Sequence, residues 1–186
     1  TFGGLTQPLD YHQAAPIGFL FVEKIFIVLL GNKDYILRLF PLIGSLLAVC
    51  LIYRISKEYF GAAGMAAVSI FAINSWLIYY SSEVKQYSND VTVTLLLIYL
   101  SIRCFREDAQ ARDFLLLGAG GVITIWVSHI SVFILAGIGL GLVIEKVFQK
   151  KYVPFGWILW LGVSWFISFG VEYFFALQYT AADEYL

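Results

Sequence analysis

Long apolar runs separated by short polar clusters dominate the chain. The first runs from Leu39 to Ile55, with Pro41 near its start and Arg54 and Lys57 at its end. The second, Ala62 to Tyr80, carries Ser69, Asn74 and Ser75 as its polar residues. A third, Val91 to Phe105, is short unless its helix begins inside the polar stretch before it, and Arg103 and Arg106 close it. Phe114 to Phe148 is nearly uncharged over 35 residues, too long for one crossing at about 20 residues each. His129, flanked by Ser128 and Ser131, marks the expected turn between two helices. The sixth run extends from about Phe155 to Phe175, with Glu172 near its end. The pattern predicts an all-α integral membrane protein with about six transmembrane helices.

Pro16 to Leu30 differs from these. It is shorter and contains Glu23 and Lys24, while Ile17, Leu20, Phe21, Ile25, Val28 and Leu29 recur at near-helical spacing. That predicts an amphipathic helix lying in the membrane surface rather than crossing it. Residues 1–38 are therefore expected to form a loop with a surface helix, and residues 39–186 an incomplete helix bundle. The chain begins at Thr1 in a polar segment, and it is expected to be an internal piece of a longer membrane protein.

Charge orients the spans. Arg54, Lys57, Arg103, Arg106, Arg112, Lys146, Lys150 and Lys151 fall on one side, which is eight of the 12 basic residues. Lys24, Lys33, Arg38 and Lys85 fall on the other. The positive-inside rule assigns the richer side to the cytoplasm. The surface helix, the Glu83–Asp90 stretch and His129 are then expected outside.

Composition agrees with this picture. The chain is 60% apolar and 13% charged, with a mean hydropathy of +0.81, against about 25% charged in soluble domains. A net charge of −1 supplies no basic face for nucleic acid. Cys50 and Cys104 form no metal spacing, and packed or lipid-facing thiols are expected. No phosphate-cradling or nucleophile-elbow motif occurs. Gly118 to Gly121 lies inside a span and is expected to pack helices, as is the Gly137/Gly141 pair.

Ionisable residues at a membrane edge are expensive and point to function. The densest set is Ser81-Ser82-Glu83-Val84-Lys85-Gln86-Tyr87-Ser88-Asn89-Asp90. If helical, it places Glu83, Tyr87 and Asp90 on one face, able to position a base, bind a metal or orient a cationic partner. A solvated interhelical turn is the plainer alternative. His12 and His129 share the outer side but are too far apart in sequence for a metal motif. Glu172 is a weaker candidate. Asn74 is expected to hydrogen-bond a neighbouring helix.

Several stretches resemble a known family. They are Tyr11-His12-Gln13-Ala14-Ala15-Pro16-Ile17-Gly18-Phe19-Leu20, Gly31 to Pro41 with Leu37-Arg38-Leu39, Leu51-Ile52-Tyr53-Arg54 to Phe60-Gly61, Tyr79 to Asp90, and Val127-Ser128-His129. In order and spacing the chain is similar to polytopic glycosyltransferases of the GT-C superfamily, closest to bacterial protein-mannosyltransferase-like and aminoarabinose-transferase-like proteins.

The resemblance implies transfer of a sugar from a polyprenyl-phosphate carrier to a lipid, glycan or protein acceptor. It also implies a bacterial plasma membrane, with the site facing the periplasm or exterior. A further acidic site residue is then expected upstream of Thr1. Asp90 and Glu83 are the catalytic candidates here, Asp90 matching an acidic family position. Tyr87, Lys85, His12 and His129 are the substrate-binding candidates, His129 matching a basic position near the lipid phosphate. The resemblance fixes no cofactor, and a divalent metal is left open. A transporter and a non-catalytic scaffold are the competing classes.

The aminoarabinose branch carries a lysine before the surface-helix proline, where this chain has Ala15. Lys85, with His12, is expected to supply the missing charge. Lys85→Ala in the intact protein should therefore raise the KM for the lipid-linked donor, and an unchanged donor affinity would remove Lys85 from the site.

Overall fold

Lipid offers backbone amides no partner, so long apolar runs satisfy their hydrogen bonds internally as helices. The computed structural model describes residues 15–148 and 155–177, and every regular element among them is helical. The order is α1 (Ile17–Leu30), α2 (Asp34–Leu37), α3 (Leu39–Phe60), a 3-10 turn (Gly61–Ala63), α4 (Gly64–Ala72), α5 (Ser75–Ser81), α6 (Tyr87–Cys104), α7 (Ala111–Val127), α8 (Ser131–Phe148), α9 (Phe155–Glu172) and a closing π turn (Tyr173–Leu177).

Among the described residues, three segments are long and apolar enough to cross a bilayer: Asp34–Ala72, Ser131–Phe148 and Phe155–Phe175. The protein is an all-α integral membrane protein. Where six spans are expected, α6 is made more polar by Ser88, Asn89, Asp90, Thr92 and Thr94, and α7 has only 17 residues. The second expected span is not continuous. It is broken at Ile73 and Asn74 into helices of 9 and 7 residues, neither able to cross alone. The break is local chemistry. Asn74 has extended backbone, and its Oδ1 accepts from the amides of Trp76 at 3.0 Å and Leu77 at 3.2 Å. It is an N-cap, not the bridge to a neighbouring helix that its place in an apolar run suggests.

Helix α6 sits centrally. It packs on α3 along one side and on α7 along another, and α7 in turn packs on α9. The core joins Leu97 and Cys104 of α6, Phe114 and Leu117 of α7, Leu142 of α8 and Leu161 of α9. Small residues set the spacing. Gly118 and Gly121 leave room for the indoles of Trp160 and Trp165, so this glycine run does pack helices. The Gly137/Gly141 pair does not join two helices, because Gly137 faces open space and Gly141 meets only the Phe105 ring. Gly61 turns the chain at φ 55°, and Gly64 lets α4 close against the backbone of Ser56.

Helix α1 departs from its expected amphipathic form. Its buried positions are Phe19 and Glu23, whereas Phe21, Val28, Leu29 and Leu30 are exposed. The charged residue expected to face water is turned toward the protein, and apolar side chains cover the outer surface.

The arrangement has two distinct ends. The starts of α3, α6 and α8 and the ends of α7 and α9 gather at one. The ends of α3, α6 and α8 and the starts of α7 and α9 gather at the other. The described members of the basic-rich set, among them Arg103, Arg106 and Arg112, lie at the second.

The α3–α4 turn is testable. Gly64→Ala forces its methyl group onto Ser56 backbone, which should lower stability by about 1–3 kcal/mol. Gly137→Ala faces open space and should cost nothing. Thermal unfolding of the intact protein in detergent compares the two, and equal melting temperatures would refute the packing.

Candidate functional site

The polar stretch before α6 is only partly helical. Residues 82–86 form a turn, and the helix begins at Tyr87. Three consecutive polar residues then enter the interior: Ser88, Asn89 and Asp90 are all buried. Ser88 donates to the Pro41 carbonyl at 2.8 Å, and Thr92, one turn later, donates to the Gly44 carbonyl at 2.6 Å. Asn89 lies against Gly44, where a Cβ would collide with its Oδ1. These contacts lock α6 to α3.

Asp90 faces the other way. Its Oδ1 accepts from Ser128 Oγ at 2.6 Å. Ser128 ends α7 in extended conformation, fully buried, and its amide still donates to Thr124. Its carbonyl accepts from Ser131 Oγ at 2.6 Å, which starts α8. The neighbouring Trp126 donates from Nε1 to Ser168 Oγ at 3.1 Å, and Ser168 donates to the Val122 carbonyl at 3.1 Å. That pair fixes α9 against α7 and brings Glu172 to His129, whose Nε2 lies 3.1 Å from Oε1. The separation is that of an ion pair, but its angle is not that of a hydrogen bond, and both Glu172 oxygens are buried without a hydrogen-bond partner. His129 also acts electrostatically on Asp90. Its side chain is 30% exposed while Glu172 is wholly buried; Nε2 itself is buried with no hydrogen-bond partner, so the imidazole reaches the surface only through its other atoms.

Helix α1 crosses this end. Gly18 presses on the Trp126 backbone, and Phe19 and Phe26 pack on Phe40 at the start of α3. Between them lies Glu23, 5% exposed, with neither oxygen hydrogen-bonded. Burial pushes its carboxyl up to about 7.

The structure thus brings Asp90 and His129 together, with Ser128 and Glu172 as their partners. It does not bring Glu83, Tyr87 and Asp90 onto one helical face, because Glu83 precedes the helix and Tyr87 is exposed while Asp90 is buried. Tyr87 instead packs its ring on Tyr80, 4.8 Å between centroids. Lys85 is exposed, with Nζ 5.8 Å from the Tyr87 ring centroid. His12 lies outside the described residues. Among the described residues no three His, Cys, Asp or Glu side chains gather as a metal site. Ser128 as the partner of Asp90, and the depth of Glu23, were not foreseen. Their one sequence signal is a polar residue in an otherwise apolar stretch, Ser128 at the edge of one and Glu23 in the middle of another.

Buried carboxyl groups and a histidine thus collect at one end of an all-helical bundle. Residues 14–171 match the family model described as dolichyl-phosphate-mannose-protein mannosyltransferase, and the chain belongs to that family, which makes it a glycosyltransferase of the GT-C type. Neither the curated proteins nor the solved structures give a match.

Glu23 predicts a pH effect. A carboxyl raised on folding from 4.5 to about 7 favours the folded state fully below pH 4.5 and loses that contribution as pH rises through 7. Glu23→Gln should match the native protein at pH 4 and exceed it by about 1–3 kcal/mol at pH 8. Melting curves at the two pH values read this out, and a difference independent of pH would contradict it.

Proposed function

We propose that the chain forms part of an enzyme that moves a sugar from a polyprenyl-phosphate carrier to an acceptor on the extracytoplasmic side of the membrane. The Asp90–Ser128–His129–Glu172 end is its reacting face. The observation that carries this reading is the placement of His129, partly exposed at the membrane edge and backed by two buried carboxylates. The imidazole there meets the carrier phosphate, with Glu172 and Asp90 behind it.

In the reaction the bond between the anomeric carbon and the phosphate oxygen breaks. Its electron pair leaves with the lipid phosphate, which His129 stabilises. The acceptor oxygen bonds to the anomeric carbon and gives its proton to a carboxylate. Asp90 organises the site through Ser128 and His129. Glu83 lies on the turn at the same end and is partly exposed.

The lipid tail needs an apolar path to this face. A cavity of about 370 Å³ between α7, α8 and α9 offers one, lined by Ile125, Leu135, Leu142, Leu161 and Trp165. It reaches Val132 and Phe169, next to Ser131 and one turn from Glu172. The surface-helix domain, residues 1–38, is proposed to cover the outer face, and mannose fits the family description as the sugar.

The test is transfer from polyprenyl-phosphate mannose by the intact protein in proteoliposomes. His129→Gln should lower kcat/KM about 100-fold and His129→Arg should restore part of it. Asp90→Asn, which keeps an acceptor for Ser128, should lower the rate and shift the pH profile. Normal transfer by folded His129→Gln would end the proposal.

A further inference from the structure

The opposite end of the bundle carries a second concave feature. Between the last turn of α6 and the first of α7 lies a pocket of about 280 Å³. Arg103, Arg106 and Arg112 line it, together with Asp108 and Asp113. The charges are not equivalent. Arg106 is paired with Glu58 of α3. Asp113 is committed to the start of α7, where its Oδ2 accepts from the Gln110 amide at 2.9 Å in a reciprocal capping box. That leaves Arg103 and Arg112 with no ion-pair partner among the described residues. The lining carries three guanidinium groups against two carboxylates, and guanidinium groups bind phosphate oxygens in a bidentate fork.

Its other wall is apolar. Leu100 and Leu116 line the pocket, and Leu115 and Leu116 are exposed on α7. Tyr99, one turn inward from Arg103, also lines it, the position at which aromatic side chains mark the headgroup boundary. A charged mouth above an apolar flank matches a ligand with an anionic head and a hydrocarbon tail. Basic pockets between helices are known to take such headgroups.

We propose that this pocket binds the phosphate of an anionic membrane phospholipid, with Arg103 and Arg112 on the headgroup and the acyl chains along α6 and α7. The site is separate from the Asp90 end and does not depend on which sugar is transferred.

The experiment uses the intact protein in mixed micelles with equal amounts of phosphatidylglycerol and phosphatidylcholine, and native mass spectrometry to count retained lipid. The native protein should keep phosphatidylglycerol preferentially. The double variant Arg103→Gln/Arg112→Gln should bind it about tenfold more weakly, and Arg54→Gln/Lys57→Gln, at the same end outside the pocket, should not. Equal losses in both double variants would reduce the effect to diffuse surface charge and overturn the site. Equal retention of the two lipids would also overturn it. Displacement of bound phosphatidylglycerol by millimolar inorganic phosphate would assign the pocket to a soluble phosphate compound instead.

Discussion

Helix α6 is held between its neighbours by hydrogen bonds made in its first two turns, and the rest of the bundle depends on them. Ser88 and Thr92 reach the carbonyls of Pro41 and Gly44, and Asp90 receives the Ser128 hydroxyl. Hydrocarbon surrounds both the associated and the separated helices, so burying apolar surface does little to bring them together. Small residues and directed polar contacts do that instead. Gly44 admits Asn89, and the serine and threonine hydroxyls use backbone carbonyls that lie only where α3 is close. One face of α6 therefore sets its register on α3, and the next sets the α7–α8 turn. That turn in its turn places His129.

Much of this architecture was legible because lipid imposes a simple rule on sequence. Runs of apolar residues became α3, α7, α8 and α9, and the turn expected at His129 lies between α7 and α8. The failures share a cause. A helix apolar nearly all round carries no periodic signal of which face is inward. Helix α1 buries Phe19 and Glu23 and exposes Leu29 and Leu30, a choice made by its neighbours. Asn74 likewise reads as one polar residue in a span. Only the backbone shows that its side chain ends one helix and starts another.

The candidate site was half legible. Asp90 announces itself as an acid at the start of an apolar run, and His129 as a basic residue between two of them. What the residues are for depends on their partners, which sequence spacing does not supply. Ser128 and Glu172 come from a different helix end and a different helix. The helical face drawn through Glu83, Tyr87 and Asp90 assumed a helix that begins four residues too early. With the start at Tyr87, the side chains of Tyr87 and Asp90 go to opposite environments.

Both bundle ends are charged, yet they manage charge in different ways, and the difference separates chemistry from anchoring. At the first end the carboxylates of Glu23, Asp90 and Glu172 are buried. A buried charge costs several kcal/mol unless it is paired or neutralised. Asp90 has a hydroxyl and a nearby imidazole, Glu172 has the imidazole, and Glu23 is driven toward its neutral form. At the second end Arg103, Arg106 and Arg112 are exposed. If both ends meet phosphate as proposed, the second would hold it on exposed guanidinium groups, and only the first would set it beside carboxyl groups already buried in the bundle.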